Sequence, residues 1–117
     1  MDKKELEERT KKFALRIIKL VSALPKSKVC DVIGCQLVKS GTSIGANYRE
    51  ATRAVSKAEF ISKICIVEKE TSETQYWLEL LVDSGVVNKE KLADLTDECG
   101  QLLAIFTATG RSAKKRK

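Results

Sequence analysis

The chain predicts an all-α fold, an antiparallel up-down-up-down four-helix bundle, on three observations. Apolar residues recur at steps of three and four along four successive stretches, the period of a helix with one buried face. Charged residues make up 32% of the 117 positions and proline occurs once, at Pro25, a balance that suits long helices better than strands. The links between the stretches are short, and short links make consecutive helices antiparallel neighbours. With 43% apolar residues, one domain of this length buries a core without disulfides or metal.

The first helix is expected over about 2–24, with Leu6, Phe13, Ala14, Ile17, Ile18, Val21 and Leu24 on its stripe; Pro25 disfavours helical backbone at Leu24 and ends it. The second covers about 28–54, with Val29, Ile33, Leu37, Ser40, Ile44, Tyr48, Ala51 and Val55 in step. Gly34, Gly41 and Gly45 lie inside it, each costing about 1 kcal/mol against alanine. Close approach of a neighbouring backbone is the usual offset, so the small-residue run Ser40–Ala46 should mark the tightest helix contact. The run lacks the Lys-Ser/Thr ending of a phosphate-binding loop.

A third helix over about 57–83 starts at a capping box, Ser56-x-x-Glu59, and should close at Ser84 and Gly85 in a left-handed turn. Its seam reads Phe60, Ile64, Val67, Thr71, Thr74, Leu78 and Leu81. Asn88 can cap the fourth helix, expected over about 89–108, with Leu92, Leu95, Cys99, Leu102, Leu103 and Phe106 on one stripe. Residues 1–110 thus form one bundle, and residues 111–117 are expected to be a disordered basic tail.

The net charge of +6 is unevenly spread: +3 over residues 1–25, +4 over 26–57, −6 over 58–110 and +5 over 111–117. Basic helices can lie against acidic ones within the chain, or they can meet polyanions, since phosphate contacts need charge and no motif. Histidine is absent, which excludes Ser-His-Asp and Cys-His catalysis and His-ligated metal. Cys30, Cys35, Cys65 and Cys99 show no C-x-x-C spacing and read as buried thiols of a reducing compartment. No apolar run reaches the roughly 18 residues of a membrane span, and the charged start does not resemble a signal sequence, so a cytoplasmic protein is expected.

Two constellations on the third helix invite a chemical reading. Glu70 and Glu73 share a stripe with Ile66, Trp77 and Leu80. Paired carboxylates can hold a metal or act as acid and base, but no histidine or third convergent acid accompanies them, so no metal, cofactor or catalytic residue is assigned. A structural role is preferred, with Asn47, Arg49 or Arg53 on the second helix supplying at least one partner. Tyr76 and Trp77 point about 100° apart, so only one can enter the core seam and the other reaches a further surface.

The succession SGTSIGANYREA followed by SKAEFISKICIVEKETSETQYWLELL resembles the four-helix-bundle family encoded in intervening sequences of bacterial large-subunit ribosomal RNA genes. The accessory variability protein of diversity-generating retroelements is similar. The likeness covers about residues 10–108 and is carried by Ser43, Ile44, Gly45, Ala46, Asn47, Glu50, Ala51, Ser56, Phe60, Glu70, Glu73, Tyr76, Trp77 and Leu78. It implies a non-enzymatic bundle assembling as a homopentamer, with nucleic-acid binding proposed for the family and reverse-transcriptase binding for the retroelement relatives. It brings no catalytic residues and no cofactor.

Charge then nominates Lys11, Lys12, Arg16, Lys19, Lys39, Arg49 and Arg53, with Arg111, Lys114, Lys115, Arg116 and Lys117 of the tail, as residues that meet RNA or DNA. Asn47, Glu50, Glu70, Glu73, Tyr76 and Trp77 are the structural or interface set. The alternative is a protein–protein scaffold or accessory subunit, for example of a reverse transcriptase.

Overall fold

The computed structural model describes residues 1–115. They form four helices, α1 (Lys3–Ser22), α2 (Lys28–Thr52), α3 (Lys57–Asp83) and α4 (Lys89–Lys115), with no strand among the described residues. Each start has a local cause: the side chains of Asp2, Ser27 and Ser56 accept from the amides of Glu5, Cys30 and Glu59, and Asn88 Oδ1 accepts from Glu90 N at 3.0 Å. The capping box closes one residue wider than its simplest form, because Glu59 Oε2 accepts from the amide of Val55 at 3.2 Å. Past α3, Gly85 takes φ of +81°, a conformation that favours glycine, and Val87 N donates to the Leu81 carbonyl at 3.1 Å.

The helices stand side by side in a rod of 49 × 21 × 20 Å, with α2 between α1 and α3, α3 between α2 and α4, and the thinnest seam between α1 and α4. Phe13, Ile17, Leu37, Ile44, Ile64, Leu78, Leu102 and Phe106 fill the axis. Each such side chain stabilises the fold by about 1.5–3 kcal/mol through burial. Tyr48 of α2 and Phe106 of α4 meet at 5.5 Å between ring centroids across the centre. Three threonines enter the core, and Thr10, Thr71 and Thr74 each donate to the carbonyl one turn back, so the apolar interior does not strand their hydroxyls.

The glycines of α2 do mark a tight seam. A Cβ at Gly41 would lie 3.0 Å from Ile17 Cγ1 and Cγ2, one at Gly34 3.0 Å from Val21 Cγ1, and one at Gly45 3.1 Å from Thr10 Oγ1. What approaches is chiefly the side chains of α1, with its backbone behind, and Gly34 extends the seam beyond the Ser40–Ala46 run. That run is helical throughout, so it is no phosphate-binding loop.

Several expectations are corrected. Ile18, Val29 and Val55, expected on buried stripes, are exposed; the buried seam of α2 begins at Cys30 instead, and Val55 sits in the turn. Cys35 is exposed and Cys65 half-buried, while Cys30 and Cys99 are buried. The first helix stops at Ser22, earlier than Leu24, because its last turn unwinds ahead of Pro25; the second stops at Thr52, earlier than residue 54. The expected break at Gly110 does not occur. Gly110 is buried with room for Ile64 Cγ2 only 3.4 Å from its Cβ position, so packing against α3 carries α4 through the glycine to Lys115. The segment 111–115 is therefore helix, not disordered tail, and Arg116 and Lys117 lie outside the described residues.

Candidate nucleic-acid interface

Helical spacing divides the exposed surface of α1 into two stripes. Lys12, Arg16 and Lys19 recur at steps of four and three and share one face, spanning about 10 Å along the axis. Lys11, Leu15 and Ile18 share the next. Arg9, on the far side of the first stripe, is held by α4: its Nε and Nη2 donate to Glu98 Oε2 and Oε1 at 2.7 Å each, and Nη2 also donates to Gln101 Oε1 at 2.8 Å. The two-pronged pair raises the Arg9 pKa, chiefly through the hydrogen bond to Glu98. Arg9 is thus a strut of the α1/α4 seam, while Lys11, Lys12, Arg16 and Lys19 are exposed with no ion-pair partner among the described residues.

The other nominated cations fall elsewhere. Lys39 is exposed on the outer face of α2. Arg49 and Arg53 lie at the C-terminal end of α2, where Arg49 Nε is 3.9 Å from Glu7 Oε1 and Arg53 Nη1 donates to the Arg49 carbonyl at 3.2 Å. The C-terminal end of α4, with Arg111, Lys114 and Lys115, stands at the same end of the rod, because Phe60 near the start of α3 lines one groove with Thr109 and Ser112. The helical extension of α4 therefore places its cations at the end of the rod where α2 finishes, and exposed Lys57, outside the set that charge nominates, begins α3 at that end. The signal for Lys57 was available in the turn 53–56, which joins it to Arg53. The nominated cations thus divide between one end of the rod and the α1 stripe.

The structural set behaves differently from its expectation. The α2/α3 seam is linked by Lys63 Nζ to Glu50 Oε1 at 2.6 Å and by Thr74 Oγ1 to Ser40 Oγ at 2.9 Å. Those two links set the antiparallel register and place Glu70 opposite the turn from Ser43 to Asn47. Yet Asn47 Nδ2 donates to the Ser43 carbonyl at 2.9 Å and Ser43 Oγ to the Lys39 carbonyl at 2.6 Å, each bonding back along its own helix. Glu70 Oε2 is sealed from solvent and has no hydrogen-bond partner. The expected link from Glu70 or Glu73 to Asn47, Arg49 or Arg53 is not made; the arginines are drawn to Glu7 and to backbone instead.

Glu73 Oε1 accepts from Trp77 Nε1 at 3.4 Å, one turn on. Trp77 is half-buried against the core, and Tyr76 meets it edge-on at 5.2 Å while remaining 53% exposed, so Tyr76 is the ring that reaches outward. No group of three His, Cys, Asp or Glu side chains among the described residues could hold a metal ion. Burial pushes the Cys99 thiol up to about 12, which keeps it protonated and bonded to the Thr71 carbonyl at 3.5 Å rather than nucleophilic. No helix among the described residues is long and apolar enough to cross a membrane.

A rod of four antiparallel helices with a closed core and charge on its outside defines a helical packing module. Residues 3–108 match the 23S rRNA-intervening sequence protein family, and the chain belongs to it. It is similar to a solved structure from Bacteroides thetaiotaomicron, described as a protein of unknown function from the S23 ribosomal protein family. The two share 34% identity at a TM-score of 0.87, over 95% of this chain and 99% of that one. None of the curated proteins matches the chain.

Proposed function

We propose that this protein is a non-enzymatic, homopentameric bundle of the cytoplasm that binds RNA or DNA through Lys12, Arg16 and Lys19 of α1 and through the cations gathered at the end of the rod. The observation that carries the reading is the unpaired state of the α1 stripe. Three cations on one face, with Glu68, Glu73 and Glu98 turned to Thr107, Trp77 and Arg9, leave a field that counterion release converts into phosphate affinity. Membership in a family named for ribosomal RNA intervening sequences supports an RNA-related role.

The test is a salt titration against mixed RNA and DNA. Binding should weaken steeply with added salt, and Lys12→Ala, Arg16→Ala and Lys19→Ala should each reduce the log–log slope by about one. No binding at low ionic strength would turn the reading to the second one, a protein scaffold or accessory subunit, for example of a reverse transcriptase. Exposed Tyr76 and Ile66 beside Glu73 favour that second reading, because aromatic side chains anchor protein contacts.

A further inference from the structure

Phosphate binding by α1 and by the end of the rod makes no use of the acidic half of the chain, which carries −6 over residues 58–110. Part of that charge rims a groove. Where α3 finishes and α4 begins, Leu78 and Val82 face Ala93 and Thr96 across an open cleft of about 410 Å3. Glu79 and Asp83, one turn apart on α3, edge one wall and Asp97 the other; all three are exposed, with no ion-pair partner among the described residues. Asp97 Oδ2 accepts from Gln101 Nε2 at 2.7 Å, a neutral donor that leaves the charge in place. Lys89 is the cation of the lining, and three acids keep the rim negative around it.

Gly100 stands one turn past Thr96 on the same side of α4. A Cβ at Gly34, Gly41, Gly45 or Gly110 would meet a neighbouring helix within 3.4 Å, which accounts for those glycines. At Gly100 the nearest atom is Gln75 Nε2 at 3.9 Å, so packing inside the bundle leaves room for a side chain there. Glycine weakens a helix interior, and close approach of a backbone from outside would offset that cost. We propose that this groove docks a basic amphipathic helix of a partner protein, with its apolar ridge on Val82 and Ala93 and its lysines or arginines at Glu79, Asp83 and Asp97. A helix ridge seats in the furrow between two packed helices, and the roughly 12 Å from Lys89 to Asp97 matches about two helical turns. Charge selects the occupant: the rim repels phosphate and attracts a cationic segment. The groove shares no residue with the Lys12, Arg16 and Lys19 stripe, so the inference stands whether or not that stripe binds nucleic acid.

The probe is a dye-labelled helical peptide of leucine and lysine, with leucine on one face, titrated with the whole chain and followed by fluorescence anisotropy. It should bind at low salt and release as salt is added, while the same peptide with glutamate for lysine should not bind. The double variant Glu79→Lys, Asp83→Lys should bind the lysine peptide at least about tenfold more weakly. Ala93→Arg, at an exposed position, and Gly100→Leu, which adds a better helix former, should keep the helical circular dichroism and weaken binding likewise. No binding of the lysine peptide, equal binding of the glutamate peptide, or parental affinity in Ala93→Arg or Gly100→Leu overturns the proposal. A change in the mass of Ala93→Arg in solution also overturns it, because another copy of the chain then covers the groove.

Discussion

Along α1, the helix α2 presents Gly34, Gly41 and Gly45 to the side chains of Val21, Ile17 and Thr10. Along α3, it presents Ser40, Ser43, Asn47 and Glu50 to Thr74, Glu70 and Lys63. The first side is held by shape: approach is so close that a Cβ has no room, and Ile17 is fully buried and cannot retreat. The second is held by a few polar links and tolerates an acceptor left unpaired at Glu70. One helix thus combines a seam with no slack and a seam with slack, and substitutions should separate the two.

The largest expected effect is at Gly41. Gly41→Val sets a branched side chain against Ile17, and overpacking of about 3 kcal/mol should exceed the few tenths of a kcal/mol that replacing glycine by valine contributes to helix propensity. Urea unfolding should show a lower midpoint at unchanged slope; an unchanged midpoint would mean that α1 can shift away and that the seam is not steric. At Glu70 the sign reverses. Glu70→Gln removes a charge beside an unpaired, solvent-sealed oxygen and should raise stability by about 1 kcal/mol, read as a higher thermal midpoint. A lower midpoint would show that a donor reaches Glu70 in solution and that the α2/α3 side has less slack than its geometry suggests.

The smallest effect belongs to the exposed pair on the same side. Glu50→Ala breaks the contact to Lys63, and the loss should stay below about 1 kcal/mol and shrink as salt is added. A loss insensitive to salt would mean that the alkyl part of Lys63 packs on α2 and depends on Glu50 for its position.

Much of this was legible before any coordinates. The capping serines and Asn88, the glycine turn at Gly85 and the four apolar periods act within one turn of helix, so each could be read from neighbouring residues. The basic stripe Lys12, Arg16, Lys19 was legible for the same reason. Its separation from the end cluster was not, because that depends on where α4 ends relative to α2. Ile18 and Val29 were misplaced because apolar spacing alone does not reveal the width of the buried face. Neighbouring positions differ by about 100°, enough to move a residue from core to solvent.

The sequence by itself determined four amphipathic helices, their antiparallel order and the small-residue face of α2, since propensity, capping and periodicity are local. Tertiary structure alone decided that Arg9 grips Glu98, that Asn47 and Ser43 bond to their own helix and leave Glu70 unpaired, and that α4 runs through a buried Gly110. Those outcomes depend on how each helix is rotated about its axis and on side-chain choices settled by packed neighbours from elsewhere in the chain.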